Sequence, residues 1–153
     1  MELSSGYSPW KYDKKMVRER ADGVVDAVQE LRGALAFDCV VLSGTSGVWL
    51  GGILQAHAAW PDELAIVLCR KDGEGSHGPL VEGGRRHGHN RAVLVDDFVS
   101  SGTTVRRVLG TLADQAEIEL VGVIQHHYLC QHWLPLRRAC TVPGTDIPTF
   151  YRL

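Results

Sequence analysis

The segment VLVDDFVSSGTT, residues 93–104, decides how the rest of the sequence is interpreted. Its apolar run VLV predicts the end of a buried strand, and two adjacent carboxylates, Asp96 and Asp97, follow directly. The run SSGTT (100–104) then leads into a segment with helical periodicity. Gly102 lets the backbone turn tightly and lets an anion approach it closely. The segment therefore predicts a ligand site where a strand passes into a helix.

The run SSGTT predicts a cradle for a phosphate group, because backbone N–H groups at the start of a helix and the helix dipole favour negative charge. The hydroxyl groups that add hydrogen-bond donors belong to Ser100, Ser101, Thr103 and Thr104. Asp96 and Asp97 would repel that phosphate. We therefore expect them to face another part of the same ligand, either vicinal hydroxyls or a magnesium ion. Hydroxyls beside a phosphate indicate a sugar phosphate.

Strand-like and helix-like segments alternate along the chain. The predicted strands cover 39–42, 63–70, 91–95 and 117–129, and the predicted helices cover 14–35, 48–59 and 105–115. The tail from Cys130 onward is expected to cap the domain or to add an edge strand. This order predicts an α/β fold with a mainly parallel central sheet flanked by helices. In such sheets ligands bind beyond the carboxyl ends of the strands.

Two further segments follow predicted strands. SGTSG (43–47) is expected to be a turn or loop, and alone it is a weak signal because Gly/Ser turns before helices are ordinary. Segment 71–90 holds six glycines and three histidines and has no clear periodicity. A structureless loop of that length inside a compact domain tends to be functional or mobile.

Residues 93–104 resemble the signature of type I phosphoribosyltransferases: an apolar run, two acidic residues, an apolar and a variable residue, two Ser/Thr, Gly, any residue, Thr. SGTSG (43–47) resembles the pyrophosphate loop of that family. RKDGEGSHG (70–78) resembles the start of its flexible active-site loop, somewhat as in orotate phosphoribosyltransferases, although the additional lysine of many orotate enzymes is missing. The match covers about 38–125 and keeps the family's order of loops.

The resemblance implies one type I phosphoribosyltransferase-like domain over residues 1–153, with a small hood from residues 1–35 and 125–153. It implies a Mg²⁺-dependent transfer of 5-phosphoribosyl from phosphoribosyl diphosphate to a nucleobase, orotate-like or purine, with release of pyrophosphate. Relatives are commonly homodimers, so a homodimer is expected. No motif in the hood segments identifies the base. Trp133, Phe150 and Tyr151 could stack on it or could equally belong to the core or to a dimer interface.

The resemblance also assigns roles to residues of this sequence. The implied catalytic residues are Asp96, Asp97 and Lys71. The implied ribose-5-phosphate contacts are Asp96, Asp97, Val99, Ser100, Ser101, Gly102, Thr103 and Thr104. The implied pyrophosphate contacts are Ser43, Gly44, Thr45, Ser46, Gly47, Arg70 and Lys71. Asp96 and Asp97 are the implied magnesium ligands, directly or through water.

Other interpretations of the same motif remain open. Adjacent aspartates at a strand end also occur in receiver domains and in haloacid-dehalogenase-like phosphatases, and they can be plain solvated turn residues. A non-catalytic regulator could keep this fold to sense phosphoribosyl diphosphate, and a related protein could bind or hydrolyse such compounds without base selectivity. The cluster His126, His127, Cys130, His132 does not predict zinc, because neighbouring residues on a strand point to opposite faces.

Composition excludes several classes of protein. The 153 residues, 44% hydrophobic and 22% charged, suit one globular domain. The formal net charge of -2 argues against a nucleic-acid partner, and no apolar run is long enough to cross a membrane. The polar N-terminal segment has no signal-peptide core, so a cytoplasmic location is expected. Cys39 and Cys69 lie in apolar runs and are expected to be small buried residues.

Overall fold

The structure is a computed structural model that describes residues 13–71, 73, 79–83, 88–97, 99–126 and 134–152. Three helices lie among these residues: α1 (Lys14–Arg32), α2 (Gly44–Gln55) and α3 (Thr103–Ala116). Seven strands lie among them as well: β1 (Cys39–Ser43), β2 (Ala65–Cys69), β3 (Val81–Glu82), β4 (Arg91–Asp96), β5 (Glu119–Gln125), β6 (Arg137–Thr141) and β7 (Pro148–Tyr151). None of the helices in this part of the chain is long and apolar enough to cross a bilayer.

The strands form one sheet in the order β3-β2-β1-β4-β5-β7-β6. Strands β2, β1, β4, β5 and β7 run parallel, and the short strands β3 and β6 run antiparallel at the two edges. The predicted α/β fold with a mainly parallel sheet is confirmed. Strands β1 and β4 are neighbours, with Leu42 opposite Val95, and Ser43 of β1 lies opposite Cys69 of β2. The three predicted loops therefore begin at one edge of the sheet.

The central strands are buried on both faces, which explains their uninterrupted apolar sequences. Along β1, Val40 and Leu42 pack on the face covered by α1 and α2, whereas Cys39 and Val41 pack on the face covered by α3. The prediction that Cys39 and Cys69 are buried is confirmed. Burial raises the pKa of the Cys39 thiol to about 12, and neighbouring Asp38 adds to the shift, so this thiol stays protonated.

The prediction that 43–47 is a loop was wrong. Ser43 still belongs to β1, and α2 begins at the next residue, Gly44. Gly44 has a φ of +65°, which turns the chain from strand to helix within one residue and leaves no need for a loop. Gly47, in the first turn, lies so close to β1 that an added Cβ would sit 2.9 Å from the Leu42 carbonyl carbon.

Segment 71–90 was expected to be a structureless loop, but part of it is a strand, because β3 lies within it and pairs with β2. The tail adds strands, as one of the two expectations had it. Only β6 is an edge strand, since β7 is inserted between β5 and β6. Phe150 of β7 packs against the core beside Gly122, where an added Cβ would lie 3.1 Å from its ring. Phe150 therefore belongs to the core, and Trp133 lies outside the described residues.

Candidate functional site

The junction between β4 and α3 forms a small cavity at the carboxyl edge of the sheet. Its volume is about 50 Å³, and it is lined by Asp96, Val99, Ser100, Ser101, Gly102, Thr103, Thr104 and Val105. A single water needs roughly 10–15 Å³ by this measure, so the cavity has room for a small tetrahedral anion. The structure thus brings the predicted hydroxyl and glycine residues together around one space, next to the first of the two aspartates.

The N-terminus of α3 is open towards this cavity. Its N-cap residue, Gly102, has a φ of +75° and no side chain, and the first turn contains no acidic residue. Helix α1 differs, because the Asp13 carboxylate accepts hydrogen bonds from the N–H groups of Lys15 and Met16. The first turn of α3 thus supplies no carboxylate to its own positive end, where the Thr103 N–H donates to Oγ of Ser101 at 3.4 Å, and a helix end of this kind favours binding of an anion.

Side chains from other elements hold the junction in shape. Arg106 donates from Nη1 to the carbonyl oxygens of Ser101 (2.9 Å) and Pro143 (2.6 Å), which ties the junction to the turn before β7. The backbone N–H of Val99 donates to Oε1 of Gln125 at 3.3 Å. An added Cβ on Gly102 would lie 2.8 Å from Cγ1 of Val142. These contacts hold the backbone around the cavity.

One carboxylate oxygen of each aspartate has a polar contact within the protein. Oδ1 of Asp96 accepts from the N–H of Asp97 at 3.0 Å, and Oδ1 of Asp97 lies 2.5 Å from Nε2 of His126. Burial raises the pKa of Asp96, and the charge of Asp97 adds to the rise, while the Asp97 N–H, His126 and Arg107 oppose it. The charged form of a carboxylate that has lost its hydration is stabilised by a cation or by hydroxyl donors beside it.

The junction between β1 and α2 carries the predicted pyrophosphate contacts. Gly44, Thr45, Ser46 and Gly47 form the first turn of α2, whose N-cap, Ser43, makes no side-chain capping hydrogen bond and whose first turn has no acidic residue. The side chain of Lys71 lies over this turn, since an added Cβ on Gly44 would sit 2.9 Å from its Cε. The structure therefore places Lys71 beside a second helix N-terminus that has no acidic residue in its first turn.

The remaining two predicted pyrophosphate residues have other partners. The guanidinium of Arg70 forms an ion pair with Glu82 on β3, so a pyrophosphate contact would require that pair to open. The hydroxyl of Ser43 accepts from Nη2 of Arg107 at 2.6 Å, and Nη1 of the same guanidinium donates to the Arg70 carbonyl at 2.8 Å. Arg107 thereby fixes the ends of β1 and β2 from α3.

Sequence reasoning did not identify the residues that support the site. Arg106, Arg107, Gln125 and His126 are the ones that contact the two junctions or the aspartates. The available signal was at the end of β5, where the apolar run stops at two polar residues on the sheet edge that carries the aspartates. His127, Cys130 and His132 lie outside the described residues, and no metal-binding group of three or more His, Cys, Asp or Glu occurs within the described ones.

Comparison with family models gave no match, and comparison with curated proteins gave none either. Solved structures do resemble the chain. Orotate phosphoribosyltransferase from Francisella tularensis superposes with a TM-score of 0.56 at 16% identity, over 74% of this chain and 52% of that one. Adenine phosphoribosyltransferase from Saccharomyces cerevisiae, complexed with an imino-altritol bisphosphate and adenine, gives a TM-score of 0.55 at 19% identity, over 80% and 77%.

A third solved structure, UMP synthase from Leishmania donovani, gives a TM-score of 0.55 at 20% identity, over 81% of this chain and 26% of that one. The chain thus spans about half the length of the Francisella enzyme and a quarter of the Leishmania one. At these identities the likeness is one of fold. The chain has a type I phosphoribosyltransferase-like fold, which confirms the architecture expected from the motif at 93–104.

Proposed function

We propose that the protein is a Mg²⁺-dependent phosphoribosyltransferase, which transfers 5-phosphoribosyl from phosphoribosyl diphosphate to a nucleobase and releases pyrophosphate. The observation that carries this proposal is the β4–α3 junction, where Asp96 lines an anion-sized cavity at a helix N-terminus without an acidic first turn and Asp97 follows it directly in the chain. The fold supports it, because the solved structures that share the fold are named as orotate and adenine phosphoribosyltransferases. An orotate-like base or a purine is the proposed acceptor.

In this proposal the β4–α3 junction binds the ribose 5-phosphate end of the donor. The backbone N–H groups and hydroxyls of residues 100–104 take the phosphate, and Asp96 and Asp97 accept hydrogen bonds from the ribose hydroxyls. Because Arg106 and Gln125 hold the junction rigidly, the bound phosphate fixes the position of C1 at little further entropic cost. The free energy of binding the phosphate, which lies far from C1, then helps to lower the barrier to reaction at C1.

The residues present fit a magnesium ion that is shared with the substrate. Asp96 and Asp97 offer carboxylate oxygens, the ligands that Mg²⁺ prefers, and substrate oxygens and waters would complete its octahedron. When bound, the ion would supply charge neutralisation at the leaving pyrophosphate. The desolvation that raises the pKa of Asp96 supports this assignment, since a cation beside the carboxylate would offset it.

The β1–α2 junction would receive the pyrophosphate. Residues 44–47 supply N–H groups of the first turn, and Lys71 lies over them. As the bond between C1 and the pyrophosphate oxygen breaks and a base nitrogen bonds to C1, negative charge grows on the leaving group. Donors already aimed at that position stabilise the charge without reorganising.

A screen tests the proposal: the protein is incubated with Mg²⁺, phosphoribosyl diphosphate and a panel of orotate, adenine, guanine, hypoxanthine and xanthine, and pyrophosphate release is followed. We expect base-dependent release with one member or one class of the panel. Failure of the protein to bind phosphoribosyl diphosphate in calorimetry would overturn the proposal. Light scattering on the same sample tests the homodimer, and imaging of a fluorescent fusion tests the cytoplasmic location; both belong to the proposal.

A regulator that senses phosphoribosyl diphosphate is the second candidate. It is favoured by the ion pair between Arg70 and Glu82. Arg70 was predicted to contact pyrophosphate, but in the structure its guanidinium binds a carboxylate on the edge strand β3 instead. The two candidates differ in one result. Tight donor binding without pyrophosphate release on any base indicates the regulator, whereas base-dependent release indicates the transferase.

A further inference from the structure

Three polar side chains from separate elements form a connected path to the site. Arg20 lies on α1, His126 follows β5, and Asp97 follows β4. Nη1 of Arg20 is 3.3 Å from Nδ1 of His126, and Nε2 of His126 is 2.5 Å from Oδ1 of Asp97. Arg20 is only 7% exposed and His126 only 3%, so both are shielded from solvent.

The contacts define which ring nitrogen carries the proton. A guanidinium has only N–H donors, so the nitrogen of His126 that faces Arg20 must offer a lone pair. Nδ1 therefore accepts, and the proton of the neutral imidazole lies on Nε2, the atom that faces Asp97. The Nε2–H group consequently faces, at ion-pair distance, the carboxylate that the proposed function assigns to the ribose hydroxyls.

Docking of α1 does not depend on this imidazole. Nη1 of Arg20 also donates to the backbone carbonyl of His126 at 2.8 Å, a bond that involves no atom of the imidazole ring. Helix α1 is further held by apolar residues that include Val24, Val28 and Leu31. The ring of His126 thus has a contact, the one with Asp97, that the packing of the fold does not explain.

We propose that His126 is a positioning residue for Asp97, with Arg20 fixing the tautomer that lets Nε2 hold the carboxylate. The inference rests on the proposed function, since it concerns the carboxylate that would bind the pentose or its metal. A buried donor restricts the orientation of Asp97, whose side chain is otherwise 43% exposed. A ligand that meets an already oriented carboxylate loses less entropy on binding.

Two substitutions separate positioning from structure. His126→Gln places an amide nitrogen near the former Nε2 and can still donate to Asp97, whereas His126→Asn places its amide near Nδ1 and reaches only Arg20. We expect His126→Asn to weaken binding of phosphoribosyl diphosphate with Mg²⁺ by about 10–100-fold, the usual effect of losing a residue that orients a ligand group. His126→Gln should restore most of the affinity, and both variants should melt close to wild type.

Isothermal titration calorimetry measures the affinities, and steady-state kinetics adds the split between KM for the donor and kcat. Equal affinities of the two variants, or a better affinity for His126→Asn, would overturn the positioning role. A wild-type protein that binds no donor would instead overturn the proposed function, and the positioning role with it. The two failures are therefore distinguishable from the wild-type titration alone.

A second readout is independent of activity. In ¹⁵N-labelled protein, long-range ¹H–¹⁵N spectra report the tautomer of each histidine, and the signals lost in His126→Gln belong to His126. We expect the neutral form with the proton on Nε2. A proton on Nδ1 would contradict the acceptor role of that nitrogen towards Arg20 and overturn the inference.

Discussion

The β4–α3 and β1–α2 junctions lie side by side at one edge of the sheet and differ in how they are built. Both turn on a glycine with positive φ, Gly102 at +75° and Gly44 at +65°, and both lead into helices without an acidic first turn. The β4–α3 junction is a loop with a cavity and fixed neighbours. The β1–α2 junction has no loop, and its charge comes from the flexible side chain of Lys71.

The difference concerns rigidity. An anion at the β4–α3 junction would meet groups held by Arg106 and Gln125, whereas an anion at the β1–α2 junction would meet one helical turn and a long side chain. In the proposed reaction the 5-phosphate at the β4–α3 junction stays attached to the sugar, whereas the pyrophosphate at the β1–α2 junction departs. A rigid anchor for the retained phosphate and an adaptable contact for the leaving group suit those two tasks.

The largest expected effect comes from removing both carboxylates of the β4–α3 junction. Asp96→Asn with Asp97→Asn should lower turnover by about 10³-fold or more, since the ribose and metal contacts disappear while the shape is kept. Pyrophosphate release measures turnover, and circular dichroism checks the fold. Asp26→Asn, an exposed carboxylate on α1, is the control. Unchanged turnover in the double variant would contradict the assigned roles.

Gly102→Ala should damage the rigid junction severely. The new Cβ would lie 2.8 Å from Val142, in a backbone conformation that L residues rarely adopt. We expect a loss of about 1–3 kcal/mol in the free energy of unfolding together with loss of donor binding. Denaturant titration and calorimetry measure the two effects. Gly110→Ala, on the same helix with open space around it, should cost nothing, and an equal loss there would remove the steric explanation.

Gly44→Ala should have a smaller effect, because its close neighbour is the movable end of Lys71. The positive φ alone predicts a cost of about 1–2 kcal/mol, with affinity for pyrophosphate reduced more than affinity for ribose 5-phosphate. Competition titrations with the two compounds measure this. Gly52→Ala, on the same helix with nothing within contact distance, is the matched control. If Gly44→Ala lowered the free energy of unfolding more than Gly102→Ala does, the β1–α2 junction would be the more rigid of the two, which is the reverse of the comparison above.

The smallest expected effect is on how the melting temperature depends on pH. The pKa of Asp96 is raised in the folded protein, so its contribution to stability is fully present below the ordinary value of 3.8 and is lost as pH rises through the folded pKa. Asp96→Asn should therefore raise the melting temperature at neutral pH, with a gain that shrinks towards acidic pH. Thermal scans across pH measure the gain. A variant that melts below wild type at neutral pH would contradict the desolvation of Asp96.

The β4–α3 junction was predictable because its information is local. The strand end, the acid pair and the glycine follow one another within 93–104, and the structure places Asp96 and Gly102 around one cavity. The start of α2 was not predictable, because one dihedral angle at Gly44 decides between a loop and a helical turn. Arg106, Gln125 and His126 were missed because their partners are set by sheet order and helix packing.

The tail shows the same limit. Its two strands have few apolar residues, and only the pairing of β7 with β5 reveals that the tail belongs to the sheet. The ion pair between Arg70 and Glu82 likewise depends on β3, a two-residue strand too short to produce a periodic pattern.

The insertion of β7 between β5 and β6 has a consequence for synthesis of the chain. The partner strand of β5, and the Pro143 carbonyl that Arg106 grips, are translated after the rest of the pocket. Strand β5 therefore gains its second neighbour, and the anion cradle its outer support, only when the tail docks, so docking of the tail is the step that completes both the sheet and the pocket.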